Sequence, residues 1–291
     1  MDLSVSKIED IGLFGLRNNE RESAEMSLEG RTAIVSGGAG DIGGAAAEEL
    51  ARRGADIAIG DVAEQERAQP LMDRIEALGR RCLYTRVDAS DPDATVSWID
   101  QVESTLALPD IVVGTAAVVT FKNIRSISFE EWRREFDVNV SGYFYLARTV
   151  ANRLEARKTG GRIVLVGSAA ANGITLAVST YCITKTAVRK LAECLAAQYA
   201  RSGILVCDVS PGIVDAGLSG AAMREDPSIR PDAEAAVPTR VLSRPEDIAF
   251  QIGHLCEPEC RHITGSTVYV DGGMNLKIIS GYGDDDPGVN P

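Results

Sequence analysis

From Arg31 onward, short runs of β-branched and other apolar residues alternate with longer segments whose apolar positions recur every three or four residues. The first pattern suits strands, and the second suits helices that bury one face. Strands are expected at 31–36, 55–60, 82–87, 110–115, 162–167, 204–209 and 266–270, with amphipathic helices near 42–53, 63–79, 92–106, 129–157, 180–202 and 245–255. This alternation is the signature of βαβ units. It predicts a single-domain α/β fold, a doubly wound parallel sheet of about seven strands with helices on both faces.

The domain is expected to occupy 28–276, preceded by a polar arm over 1–27 and followed by a tail over 277–291 that carries Asp284, Asp285 and Asp286. Within it, 213–241 contains Pro227, Pro231 and Pro238 beside Arg224, Glu225 and Asp226, a composition that suits a lid of irregular chain and short helices. Two helices carry more apolar surface than one sheet face can cover. In 180–202 only Arg189, Lys190 and Glu193 form a charged stripe, and 129–157 holds Trp132, Phe136, Val140, Tyr143, Phe144, Tyr145, Leu146 and Val150. A homo-oligomer, dimer or tetramer, is the simplest way to bury the excess.

Forty-two acidic residues against 30 basic ones give a net charge of -12. Such a field repels phosphate backbones and anionic lipid, so neither nucleic acid nor membrane is expected as a partner. The first residues lack a continuous apolar stretch of the secretory kind, which points to a cytoplasmic location. The uncharged run Ile163–Thr184 is long enough to span a bilayer but includes Ser168, Asn172, Thr175, Ser179 and Thr180, and it reads better as strand, loop and helix start. Six cysteines lie mostly in apolar segments, where a thiol behaves as a small hydrophobe, and imply no disulfide framework. His254, Cys256, Cys260 and His262 lack a zinc-site spacing, so no metal is expected there.

The first strand runs directly into Gly37-Gly38-Ala39-Gly40-Asp41-Ile42-Gly43 and then an alanine-rich helix. Glycines let the backbone turn sharply and approach a pyrophosphate, and a helix N-terminus offers free N–H groups and partial positive charge. The second strand ends at Asp61, whose carboxylate can accept from adenosine ribose hydroxyls and would repel a 2′-phosphate. No Arg or Lys stands in the turn or just after Asp61, so NAD is the expected cofactor rather than NADP. The plain alternative is that Asp61 only caps the next helix. Further on, Ser168 follows the fifth strand, and thirteen positions later comes Tyr181-Cys-Ile-Thr-Lys185. Tyr181 and Lys185 are four apart on one helix face, so an ammonium there, together with the oxidised nicotinamide, is expected to lower the phenol's pKa and make it a usable acid/base.

Taken together, the chain resembles the short-chain dehydrogenase/reductase family over about Leu28 to Leu276. The resemblance rests on Ser168, Tyr181 and Lys185 in order and spacing, on Asp88 after Val87, Asn139 in Asp137-Val-Asn-Val, Pro211-Gly212 after the sixth strand, and the ending Asp271-Gly-Gly273. It implies a Rossmann-type fold and an enzyme that moves a hydride between NAD and a small hydroxyl or carbonyl compound, a secondary alcohol or ketone. In that reading Tyr181 is the general acid/base, Ser168 holds the substrate oxygen, Lys185 grips the nicotinamide ribose, and Asn139 orders a water toward Lys185. It also implies a cofactor site of Gly37, Gly40, Asp41, Ile42, Asp61, Asp88, Ala116, Tyr181, Lys185, Pro211, Gly212 and Ile213.

Three places depart from the family pattern. Asp41 stands where a glycine is usual, Gly114-Thr115-Ala116-Ala117 replaces Asn-Asn-Ala-Gly and loses bracing amides, and Asp215-Ala216 lies where a threonine usually holds the nicotinamide carboxamide. Two other readings stay open: an epimerase or dehydratase working through transient oxidation, and a protein that binds NAD without turnover.

Overall fold

A computed structural model describes residues 27–276; residues 1–26, which include nearly all of the predicted arm, and the acidic tail lie outside them. Seven parallel strands make one sheet: β1 (Thr32–Ser36), β2 (Asp56–Asp61), β3 (Cys82–Arg86), β4 (Ile111–Gly114), β5 (Gly161–Val166), β6 (Ile204–Pro211) and β7 (Thr267–Val270), in spatial order β3-β2-β1-β4-β5-β6-β7. The order reverses between β1 and β4, which opens a crevice at the strand C-termini.

The strands alternate faces with period two, as a pleated chain must. In β1, Ala33 and Val35 join one core while Ile34 joins the other; in β5, Val164 and Val166 oppose Ile163 and Leu165. The first core is closed by α1 (Asp41–Arg52), α2 (Gln65–Ala77) and, after the sixth strand, the helix Pro245–Cys256, through Leu50, Ile75 and Ile252. The second is closed by α3 (Pro92–Thr105) and by the helices that follow β4 and β5, through Trp98, Val150 and Val188. Both faces are therefore covered, and central strands such as β1 and β4 are buried along their whole length, with apolar residues at their centres.

The segment expected as one helix over 129–157 has three parts: α4 (Phe129–Phe136), a π turn (Asp137–Ser141) and α5 (Gly142–Ala156). Ser128 starts α4 with a capping box, its Oγ accepting from the Glu131 N–H at 3.1 Å while its own N–H donates to the Glu131 carboxylate at 2.9 Å. The π turn inserts one extra residue per turn, a device that concentrates at functional positions, and it carries Asn139. The helix expected at 180–202 is α6 (Ser179–Tyr199). The 213–241 segment contains α7 (Gly217–Glu225) and α8 (Arg230–Ala235), and α9 (Pro245–Cys256) follows it. That segment has a small core of its own in Met223, Val237 and Leu242, with Ile213 packed on it, and a bridge between Val214 and Ser243 ties its ends together. No described helix is long and apolar enough to cross a membrane.

Candidate active site

The ends of β1, β4, β5 and β6 converge where Gly37, Thr115, Ser168 and Gly212 leave the sheet. Gly37 has φ +75°, and a Cβ on it would lie 2.6 Å from the Ala116 nitrogen, so only glycine allows the β1 turn and the β4 end to meet. Thr115 Oγ1 donates to the Ser36 carbonyl at 2.6 Å and bridges the same two segments, which supplies part of the bracing that the missing amides would have given. Gly40 precedes α1 with no side chain capping it, leaving the first-turn N–H groups of that helix for another acceptor. Ile42 packs against the core beneath. This cradle fits a dinucleotide pyrophosphate in shape and donor set.

Asp41, the unusual residue of the turn, accepts from the Gly217 N–H at 2.6 Å and so joins the turn to the 213–241 segment. Asp61 does not cap α2, a position held by Glu64. Its two oxygens accept from Ala39 N–H at 3.1 Å and Ala63 N–H at 3.0 Å, which aligns the carboxylate with the glycine turn. The β2–β3 register sets Arg86 level with Asp61, a base that could not be found by scanning the residues after Asp61. Arg86 is held by Glu64 at 3.0 Å and by the Val62 carbonyl at 3.1 Å. Asp88 accepts from the Ser90 N–H and hydroxyl at 2.9 and 2.7 Å and from Arg134 at 3.1 Å. Partial burial alone would raise its pKa, but these donors outweigh it and hold the carboxyl below the usual range. The Gly212 N–H donates to the Val270 carbonyl at 3.0 Å after Pro211 ends β6, and Ile213 packs on the small core of Met223, Val237 and Leu242.

Ser168 begins a short 3₁₀ turn, its Oγ accepting from the Ala170 N–H at 3.1 Å. Tyr181 lies across from it on α6. Burial pushes the Tyr181 phenol up to about 12, opposed by the Ser168 hydroxyl and reinforced by Cys182 and Glu135. Lys185, one turn further and 2% exposed, donates to the Val166 carbonyl at 2.7 Å and to the Tyr143 hydroxyl at 3.3 Å. Its Nζ is 5.5 Å from the centre of the Tyr181 ring. Burial brings its pKa down to about 8, with Asp208 opposing the fall.

Lys185 shares a face with Tyr181, and in the protein alone burial outweighs its charge and raises the phenol, the ammonium being drawn to the end of β5. Asn139 is fully buried, its amide accepting from the Val118 N–H and donating to the Val118 carbonyl, both at 2.8 Å, and donating to Thr184 Oγ1 at 3.2 Å. Its side chain therefore clamps the loop after β4 to the residue preceding Lys185.

Three buried polar groups near this cluster were not singled out from sequence. Tyr143 was counted only as apolar helix surface. Glu135 is 0% exposed, with one oxygen accepting from the Thr120 N–H at 2.6 Å and the other unpartnered, and burial raises its pKa. Asp208 lies 3.6 Å from Arg189 and accepts from Ser210 Oγ at 2.9 Å. Each occupies a place that helix or strand periodicity assigns to the core. Two open recesses of about 340 and 440 Å³ lie along β7, lined by residues such as Tyr269, Asp271 and Gly273, and not by Ser168, Tyr181 or Lys185.

The match to known proteins spans most of the chain. Residues 37–275 fit the family model described as enoyl-(acyl carrier protein) reductase. The chain is 30% identical over 251 residues to an L-rhamnose 1-dehydrogenase (NAD(P)(+)) of Sphingomonas sp., covering 86% of this chain and 98% of that one. It is equally identical, over 251 residues, to the 3-oxoacyl-[acyl-carrier-protein] reductase FabG of Escherichia coli, covering 86% of this chain and all of the relative. Among solved structures, a short-chain type dehydrogenase/reductase from Mycobacterium marinum superposes with a TM-score of 0.81 at 27% identity, covering 88% of this chain and 100% of the other. A putative gluconate dehydrogenase from Agrobacterium tumefaciens gives 0.82 at 25% identity, covering 87% and 99%. With its doubly wound sheet and with Ser168, Tyr181 and Lys185 gathered at the strand ends, the chain belongs to the short-chain dehydrogenase/reductase family, a family of nicotinamide-dependent oxidoreductases.

Proposed function

We propose that this protein is an NAD-dependent oxidoreductase that interconverts a secondary alcohol and a ketone, with Tyr181 as the proton donor and acceptor. The observation that carries the reading is the buried Lys185, its Nζ 5.5 Å from the centre of the Tyr181 ring, with Ser168 on the turn after β5. A bound nicotinamide supplies or accepts the hydride. The glycine turn and the start of α1 would hold the pyrophosphate, Asp61 the adenosine ribose, and Lys185 the nicotinamide ribose.

With its pKa at about 12, the Tyr181 phenol keeps its proton across the physiological range, so the resting site is prepared to protonate a carbonyl oxygen. Ser168 would hold that oxygen in place. In the oxidising direction the same phenol must give up its proton first, and the charge on Lys185 favours the phenolate. Asp61 supports NAD over NADP, since its carboxylate faces the turn and the neighbouring Arg86 is neutralised by Glu64. The relatives named for L-rhamnose, gluconate and 3-oxoacyl chains make sugars, sugar acids and acyl ketones the first substrates to try.

The lid is assigned to 213–241. The apolar surface that Phe144 and Ile183 leave exposed on α5 and α6 is assigned to a homo-oligomer, which sizing chromatography at micromolar concentration tests. The test of function is a panel of sugar, polyol and ketone substrates with NAD(H) and NADP(H), read by nicotinamide absorbance. Turnover with a preference for NAD(H) is expected. Tight NADH binding without hydride transfer over the panel would refute the enzyme reading, turnover without net NADH change would indicate an epimerase or dehydratase, and equal affinity for NADPH would refute the cofactor preference.

A further inference from the structure

Tyr143 sits on α5 with its ring laid against the α-carbon of Gly114, where a Cβ would come within 3.0 Å of the ring. A residue with a side chain at 114 would therefore displace the ring. From this seat the Tyr143 hydroxyl reaches the end of β5, donating to the Val166 carbonyl at 3.2 Å and accepting from Lys185 Nζ at 3.3 Å. Lys185 Nζ donates to the same carbonyl at 2.7 Å, which closes a triangle of three polar atoms, and it stands 5.1 Å from the centre of the Tyr143 ring. Tyr143 and Lys185 are each 2% exposed, so water does not offer the ammonium a substitute acceptor.

We propose that Tyr143 is a positioning residue for Lys185: its phenol seats the ammonium on the Val166 carbonyl and supports its charge, leaving the third N–H to face the cleft. The catalytic consequence rests on the role given to Lys185 above; the seating itself does not. The other ionisable groups facing Lys185 are Asp208 from β6, which is paired with Arg189, and Tyr181 on its own helix. Burial raises the Tyr143 phenol well above its ordinary value, so it stays protonated and serves as a neutral donor and acceptor.

The test is a titration of Lys185 itself. The chain has six lysines, so ¹³C labelling at lysine Cε gives few signals, and loss of one in Lys185→Met assigns it. In Tyr143→Phe the ring is kept and the acceptor lost. The Lys185 midpoint is expected to fall by about one pH unit, a tenfold change in its protonation equilibrium, and the alkaline limb of kcat is expected to move with it. An unchanged midpoint overturns the proposal; a purely structural role would lower Tm and leave the midpoint alone. Should Tyr143→Phe fail to fold, Gly114→Ala presses on the ring from the other side and is expected to move the midpoint, and an unmoved midpoint there overturns the proposal equally. The titration needs no substrate, so a protein that shows the shift but turns nothing over would refute the enzyme reading alone.

Discussion

Replacing Lys185 with methionine is expected to remove the chemistry while making the folded protein more stable at neutral pH. The ammonium is fully buried, and burial brings its pKa to about 8 from 10.5. A gap of about 2 to 3 pH units corresponds to ~3 kcal/mol set against the folded state. The sign follows from proton counting. Below about pH 8 the folded and unfolded chains both hold the proton, and the folded one bears the full desolvation cost. Between about 8 and 10.5 the unfolded chain binds more protons, so stability rises with pH, and above 10.5 the cost is gone.

Methionine fills nearly the same volume without that cost. The Val166 carbonyl keeps the Tyr143 hydroxyl as donor at 3.2 Å, and Asp208 keeps Ser210, so few partners are orphaned. Allowing ~1 kcal/mol for the lost contacts leaves a gain of about 2 kcal/mol near pH 7, or ~4 to 8 °C in Tm for a domain of this size. Urea unfolding followed by circular dichroism, at one protein concentration and at pH 7 and 10, measures it. A variant less stable than the parent at pH 7, or one with the same gain at both pH values, would show that the lysine is not held at a cost. Turnover should fall by at least ~100-fold.

Tyr181→Phe removes one hydroxyl and keeps the ring, so stability should change by about 1 kcal/mol or less and NADH affinity little, while turnover drops by ~10² to 10⁴ or more; retained activity in the same absorbance assay would mean another group moves the proton. Glu135→Gln should raise Tm by ~2 to 6 °C at pH 7 to 8, since burial of the carboxyl raises its pKa and the parent loses stability as pH rises through that value. No gain is expected below pH 4.5, where the parent carboxyl is protonated in both states, and equal shifts in melting curves at both pH values would refute the account. Asp41→Asn keeps an acceptor for the Gly217 N–H but removes a negative charge from the phosphate cradle. It should tighten NADH by about 1 kcal/mol, roughly fivefold, at low salt and less at high salt, as read by cofactor fluorescence.

Much of this molecule is written in local periodicity. Short β-branched runs placed the seven strands to within a few residues, and the move from strand to glycines to helix marked the cradle between β1 and α1. The four-residue spacing of Tyr181 and Lys185 put both on one face of α6. These features depend on neighbours along the chain, so they survive in the sequence. The alternation implied a parallel sheet with right-handed crossovers, but the order β3-β2-β1-β4-β5-β6-β7 and the placing of Arg86 level with Asp61 belong to the sheet as a whole.

The electrostatics of the site were also beyond sequence. The four-residue spacing set an ammonium near a phenol but could not tell how strongly desolvation would oppose it, because solvent exclusion is set by whatever packs across the site. Here Tyr143 and the β5 carbonyl of Val166 take the ammonium. The contacts of the Asn139 amide with Val118 and Thr184, and the unpaired carboxylate oxygen left on buried Glu135, come from elements that pack across the site. The sequence thus determined which residues could meet at the strand ends. Only the tertiary structure decided which way each polar atom turns and how much water it loses, since both depend on groups distant in sequence.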